Sequence, residues 1–268
     1  MSVQTLCTAA TGMGALETKL DVIANNLANV NTTAFKRDRA NFEDLFYRHY
    51  TYPGAADSAG NATPTGVSVG MGTRVSSTQT DFDQGAFQQT NNQLDLAIEG
   101  NGMFAVEDAT TGDTLYTRAG NFSINANNEL VMGSASSGRK LTDGISIPTD
   151  ATSIVISPDG QVQVRQPNNN ALSVVGQLNL TTFPNPDGLE QMGDSLYRET
   201  GGSGAPVSGT PGQSGIGIVR QSVLEASNVE PVQELIDLIQ TQRAFEMNSQ
   251  VVQAGDQVMQ LVANLQRF

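Results

Sequence analysis

From Leu6 onward, apolar residues fall at Leu6, Ala9, Met13, Leu16, Leu20, Ile23, Leu27 and Val30, alternately three and four apart. That alternation is the a/d seam of a heptad repeat, which a helix satisfies and a strand cannot. It predicts a helix over about residues 3–29, roughly 40 Å long at about 1.5 Å per residue. The far end of the chain has the same character. Leu238, Phe245, Val252 and Met259 recur every seven residues, and Ala244, Val251, Val258 and Leu265 form an adjoining row. They predict a second helix from about residue 231, with Ser227 or Asn228 able to cap it and Pro231 suited to its first turn. Gly255 interrupts this helix, costing about 1 kcal/mol relative to alanine unless a close crossing requires it. Two helices cannot bury stripes this broad on each other alone, so further copies of the chain are expected to cover the remainder.

The first helix ends in "DVIANNLANVNTTAFKR", where Asn25, Asn26, Asn29 and Asn31 crowd together ahead of Phe35. Asparagine is a poor helix-interior residue because its amide competes for backbone hydrogen bonds. The same amide can satisfy loose backbone groups at a helix end, and asparagine tolerates left-handed angles. The cluster is therefore read as the point where the helix stops and the chain turns away.

Between the helices the pattern changes to short strands and turns. "LDLAIEGNGMFAVED" reads as two strands about a Gly-Asn-Gly bend, "TSIVISPDGQVQVRQ" as a hairpin, and "GNFSINANNELVMG" as another. The expected class is α+β, with long N- and C-terminal coiled-coil helices forming one helical domain around a central, mostly antiparallel β domain. The boundaries read as 1–30 and 227–268 for the helices, 31–75 for an extended connection, and 76–226 for the β domain. Within the connection, residues 47–74 have the composition of a linker, but Tyr47, Tyr50 and Tyr52 beside Pro53 and Gly54 indicate that its first part packs on something.

Chemistry finds little footing. His49 is the sole histidine and Cys7 the sole cysteine, so neither a histidine-rich metal site nor an intrachain disulfide is available. No phosphate-binding glycine loop and no nucleophile elbow is present. Neither catalytic activity, cofactor nor metal is expected. The net charge of −13 argues against nucleic acid, and no apolar run is long enough to enter a membrane. Only 15% of residues are charged, which suits a surface that lies against copies of itself. Residues 1–20 lack the basic start and apolar run of a secretory signal. The expectation is a cytoplasmic protein or one exported without a cleaved signal.

"IANNLANVNTTAFKR" together with "LEASNVEPVQELIDLIQTQRAFEMNSQVV", enclosing a β middle, resembles the axial proteins of the bacterial flagellum: rod, hook and hook-associated proteins. "NFEDLFYRHYTYPGAADSAG" is similar to an insertion of the distal-rod branch, with proximal rod and hook subunits as the alternatives. The resemblance implies a structural subunit that polymerises into a rigid helical tube and transmits torque from motor to hook. It implies type III export without a cleaved signal, a periplasm-spanning location in the basal body, and no membrane insertion. The implied partners are further copies, other rod proteins, the hook protein, the ring (bushing) proteins around the rod, and the flagellar export apparatus. Leu6, Met13, Leu16, Leu20, Ile23, Leu27, Leu238, Phe245, Val252 and Met259 would then be subunit-interface residues. Tyr47, Tyr50, Tyr52, Pro53 and Gly54 would belong to a rod-stiffening wedge.

Overall fold

The computed structural model describes residues 3–54, 64–108, 111–134, 138–167 and 169–265. It divides into a terminal unit, residues 1–28, 38–80 and 230–268, and a central unit, residues 29–37 and 81–229.

In the terminal unit, α1 (Val3–Ala28) and α2 (Pro231–Leu265) run antiparallel, since Leu6 meets Gly255 and Gly12 meets Asn248. Two successive two-stranded sheets form a ribbon in the same unit. Strand β1 (Asp38–Asp44) pairs with β4 (Thr73–Thr80), and β2 (Tyr47–Thr51) pairs with β3 (Val67–Gly70), all antiparallel. Gly72 lies directly on Thr8 and Thr11 of α1, where any side chain would collide, so glycine sets how closely the ribbon approaches the helix.

This arrangement corrects the coiled-coil expectation. The helices share their unit with residues 38–80 instead of forming a helical domain of their own, and on α2 the expected row of Leu238, Phe245, Val252 and Met259 is not the most buried one. Among the described residues of α2 the buried positions are Glu234, Thr241 and Gly255, with Asn248 half-buried on the same seven-residue row. Phe245 and Met259, expected at a subunit interface, are exposed in the single chain. The physical reason is close approach: small and polar side chains line the crossing, as the Gly255 and Gly12 contacts show. A β-carbon on Gly255 would stand 2.5 Å from Leu6 Cδ2, so this glycine makes room for the crossing.

The described strands of the central unit all pair antiparallel. Its main sheet has seven strands, in spatial order Glu190–Gly193, Leu196–Arg198, Thr114–Thr117, Phe104–Glu107, Lys140–Leu141, Leu130–Met132 and Phe122–Ile124. A three-stranded sheet, Ser153–Ile156, Gln161–Gln166 and Asn169–Gln177, closes a core of Leu96, Ile98, Phe104, Phe122, Val162, Val164 and Leu180. Phe104 and Phe122 meet edge-on at 5.1 Å. The Pro158-Asp159-Gly160 bend forms a tight hairpin, with Gly160 at φ +82° and its N–H donating to Ser157 at 2.9 Å. The strands around Gly100-Asn101-Gly102 do not pair with each other. Leu96–Glu99 pairs with Ile218–Gln221, while Phe104–Glu107 joins the main sheet.

Candidate assembly surfaces and the helix-end junction

Each asparagine at the end of α1 has a separate situation. Asn26 is 1% exposed. Its Nδ2 donates to the Asp38 carbonyl at 2.8 Å and its Oδ1 accepts from the Asp38 N–H at 3.0 Å. One amide thus clamps both backbone groups at the start of β1, holding the returning chain against a helix residue twelve positions earlier. Asn29 closes a turn, its carbonyl accepting from Thr32 N–H at 3.1 Å and its Oδ1 from the Thr32 hydroxyl at 3.1 Å. Asn25 and Asn31 are exposed, and Phe35 is half-buried. The left-handed residue in this segment is Ala34 at φ +56°, not an asparagine. A fully buried alanine in that conformation is held there by its surroundings, at a cost of order 1 kcal/mol. Replacing Asn26 by Ala orphans two backbone groups and is expected to destabilise the terminal unit by about 1–3 kcal/mol. Faster amide hydrogen exchange in 38–44 with unchanged exchange in 96–107 is the predicted signature; unchanged exchange in both would contradict it.

The anchor of Ala34 lies within the central unit, and sequence reasoning missed it. Ala34 N–H donates to the Glu225 carbonyl at 2.9 Å. Lys36 Nζ reaches Glu225 Oε1 at 2.6 Å, and Arg118 Nε reaches Glu225 Oε2 at 2.9 Å. The Lys36 and Glu225 side chains are 0% exposed. Lys36 also donates to the Asp83 carbonyl, Gly85 N–H donates to Glu225, and Arg118 donates to the carbonyls of Ile98, Gly100 and Gly102. Burial pushes the Lys36 amine down against the pull of Glu225. Burial also raises the Glu225 carboxyl, but the Arg118 and Lys36 charges with their hydrogen bonds outweigh it and hold the group below the usual carboxylate range. Asn228, read as a possible helix cap, instead accepts from Arg37 N–H at 2.7 Å and donates to the carbonyls of Asp81 and Asp83. Local signals could not find this junction, because Lys36 and Glu225 are 189 residues apart.

Outward-facing apolar surface is concentrated in the terminal unit. On α1, Ile23 is buried and Leu6, Met13, Leu16, Leu20 and Leu27 are half-buried. On α2, Leu238 and Val252 are half-buried. Val232, Leu235, Ile236, Ile239, Met247 and Leu261 stand exposed, from 43% at Ile236 to 71% at Val232. By helical spacing these six lie roughly opposite the Glu234–Thr241–Gly255 row that meets α1. The ribbon carries a second such surface. Phe46 is 89% exposed, and Tyr47, Tyr50, Tyr52, Val67 and Met71 are exposed beside it. His49 stacks on Tyr52 at 5.1 Å and the Arg48 guanidinium lies 5.0 Å over Tyr50. Pro53 and Gly54 are exposed, Gly54 at φ +85°, and the rest of the expected wedge, 55–58, lies outside the described residues. A two-stranded ribbon with this much apolar surface is marginal on its own in water.

Three sequence-family models match the chain. They are the flagella basal body rod protein over residues 6–36, the flagellar hook protein FlgE/F/G D1 domain over 97–164, and the flagellar basal body rod FlgEFG protein C-terminal over 220–265. Among curated proteins, the chain is 44% identical to the flagellar basal-body rod protein FlgG of Agrobacterium fabrum, over 97% of this chain and 98% of that one. It is 44% identical to FlgG of Caulobacter vibrioides over 98% and 99%, and 38% identical to FlgG of Bacillus subtilis over 99% and 100%.

Proposed function

The chain belongs to the FlgG family of flagellar basal-body rod proteins, and from that membership we propose its place in the flagellum. It is a structural subunit of the distal rod and acts in motility through assembly, not catalysis. Copies polymerise into a rigid helical tube that carries torque from the motor to the hook. In the basal body it meets other rod and hook components, with the ring proteins surrounding the tube. It reaches that site through the flagellar export apparatus without a cleaved signal. Among the described residues no helix is long and apolar enough to cross a membrane.

The observation that carries the polymer reading is the outward apolar face of α2. A monomer would leave that face wet, whereas neighbouring subunits bury it, each side chain contributing up to about 1.5–3 kcal/mol. The interface set Leu6, Met13, Leu16, Leu20, Ile23, Leu27, Leu238, Phe245, Val252 and Met259 then divides by exposure. Phe245 and Met259 contact neighbours, and the more buried members hold the unit together. Tyr47, Tyr50, Tyr52, Pro53 and Gly54 wedge against adjacent subunits and stiffen the tube. Sedimentation velocity on the purified full-length chain tests the reading: large species grow in as concentration rises. A species that stays monomeric up to saturation would contradict it.

A further inference from the structure

The three-stranded sheet of the central unit has two unlike faces. Ile156, Val162 and Val164 point into the core. On the other face the register aligns Val155, Gln163 and Val174 in one row across all three strands, with Arg165 paired to Ser153 beside it. Val174 is 63% exposed, and Val155, Leu172 and Arg165 are exposed too. The sheet ends on Asn169–Gln177, so one row of N–H and C=O groups along this strand faces away from the sheet. Residues 172–177 of that edge contain no charge and no proline, two of the devices that ordinarily keep an open edge from pairing with another chain, and the pairing is interrupted only by register shifts between Val162 and Gln163 and between Val164 and Gln166.

The electrostatic setting is equally particular. The central unit holds sixteen carboxylates and eight cations. Seven of the eight cations sit in ion pairs with its own carboxylates. Arg165 is the exception: among the described residues it has no ion partner. The central unit's one uncommitted cation therefore stands on its open sheet face, while the rest of the unit's surface has carboxylates to spare.

We infer that this face and edge, centred on Arg165 and Val174, form a contact surface for the central unit of a second copy, which supplies a carboxylate-bearing segment. The second copy is the fitting occupant because its excess negative charge complements Arg165, and its polar, weakly charged chain suits the open edge. The contact is heterologous, receptor face to acidic segment, so it repeats along an assembly instead of closing on a dimer. The inference rests on the assembly reading above and adds to it a surface far in sequence from the terminal helices.

The test places a photo-crosslinking benzoylphenylalanine at position 174 of the full-length chain in flagellated cells and sequences the products. The expected product joins two copies, with the second attached through an acidic peptide from within residues 81–229. Arg165→Glu lowers its yield about tenfold, an equilibrium change of ~1.4 kcal/mol. The thermal melt should not move, because Arg165 is exposed and has no ion partner among the described residues. Cross-links to a different protein, a copy–copy yield indifferent to Arg165→Glu, or no product in cells that build flagella would each overturn the inference. In those cases the rod reading would stand; absence of the chain from isolated basal bodies would overturn that reading instead.

Discussion

Lysine at both Leu235 and Ile239 abolishes assembly of the full-length chain while leaving the central unit folded. Both side chains are exposed on the outward face of α2, so neither substitution disturbs the line along which α2 meets α1. In an assembly the same positions become apolar interior. Each loses up to about 1.5–3 kcal/mol of burial, and each buries an ammonium with no partner, a further cost of several kcal/mol. Even the burial loss alone, at ~1.4 kcal/mol per factor of ten, raises the concentration needed for assembly by roughly a hundredfold. Sedimentation velocity reads the effect, and hydrogen exchange of 96–107 reports whether the central unit is intact. Lysine at exposed Asp256 should leave assembly near wild type. Wild-type assembly by the double variant would remove α2 from the interface.

Glu225→Ala destabilises the central unit by about 3–5 kcal/mol, the range for removing one partner of a buried ion pair. It leaves the Lys36 and Arg118 charges with carbonyl acceptors but no carboxylate, and takes the acceptor from the Gly85 N–H. Lys36→Met costs much less, because Glu225 keeps Arg118 and Gly85, and burial already works against the charged amine. The contrast between these two variants is sharper than either magnitude. Acid should separate them as well. The folded chain keeps the Glu225 carboxyl ionised to lower pH than the unfolded chain does. Its stabilisation is therefore complete above the ordinary carboxylate pKa and is lost as pH falls through the depressed folded value. Glu225→Gln should flatten that part of the acid limb of urea stability. Equal costs for Glu225→Ala and Lys36→Met, or an unaltered acid limb, would mean the three charges do not act as a unit.

The chain shows how far periodicity reaches. The long helices were legible because heptad spacing at Leu6–Val30 and Leu238–Met259 is a local pattern, and the Pro158-Asp159-Gly160 hairpin because a turn is. What the helices pack against was not legible. Apolar spacing marks the face that leaves water, whether for the same molecule or for the next one, and in α2 much of it faces outward. The intramolecular crossing uses Glu234, Thr241, Asn248 and Gly255, residues that carry no apolar signal. Asparagine enrichment located the end of α1 but not the roles within it, since Asn26 clamps Asp38 while the left-handed turn falls to Ala34. The Lys36–Glu225–Arg118 junction, and the lack of an ion partner for Arg165 among the described residues, both depend on how distant segments meet, which no spacing rule encodes.

The most direct test of the rod assignment is electron microscopy of basal bodies isolated after deleting the gene from its source bacterium. The account predicts non-motile cells whose rods stop short and carry neither hook nor filament, restored by the wild-type chain and not by the α2 double-lysine variant. Complete rods bearing hooks on motile cells would contradict it.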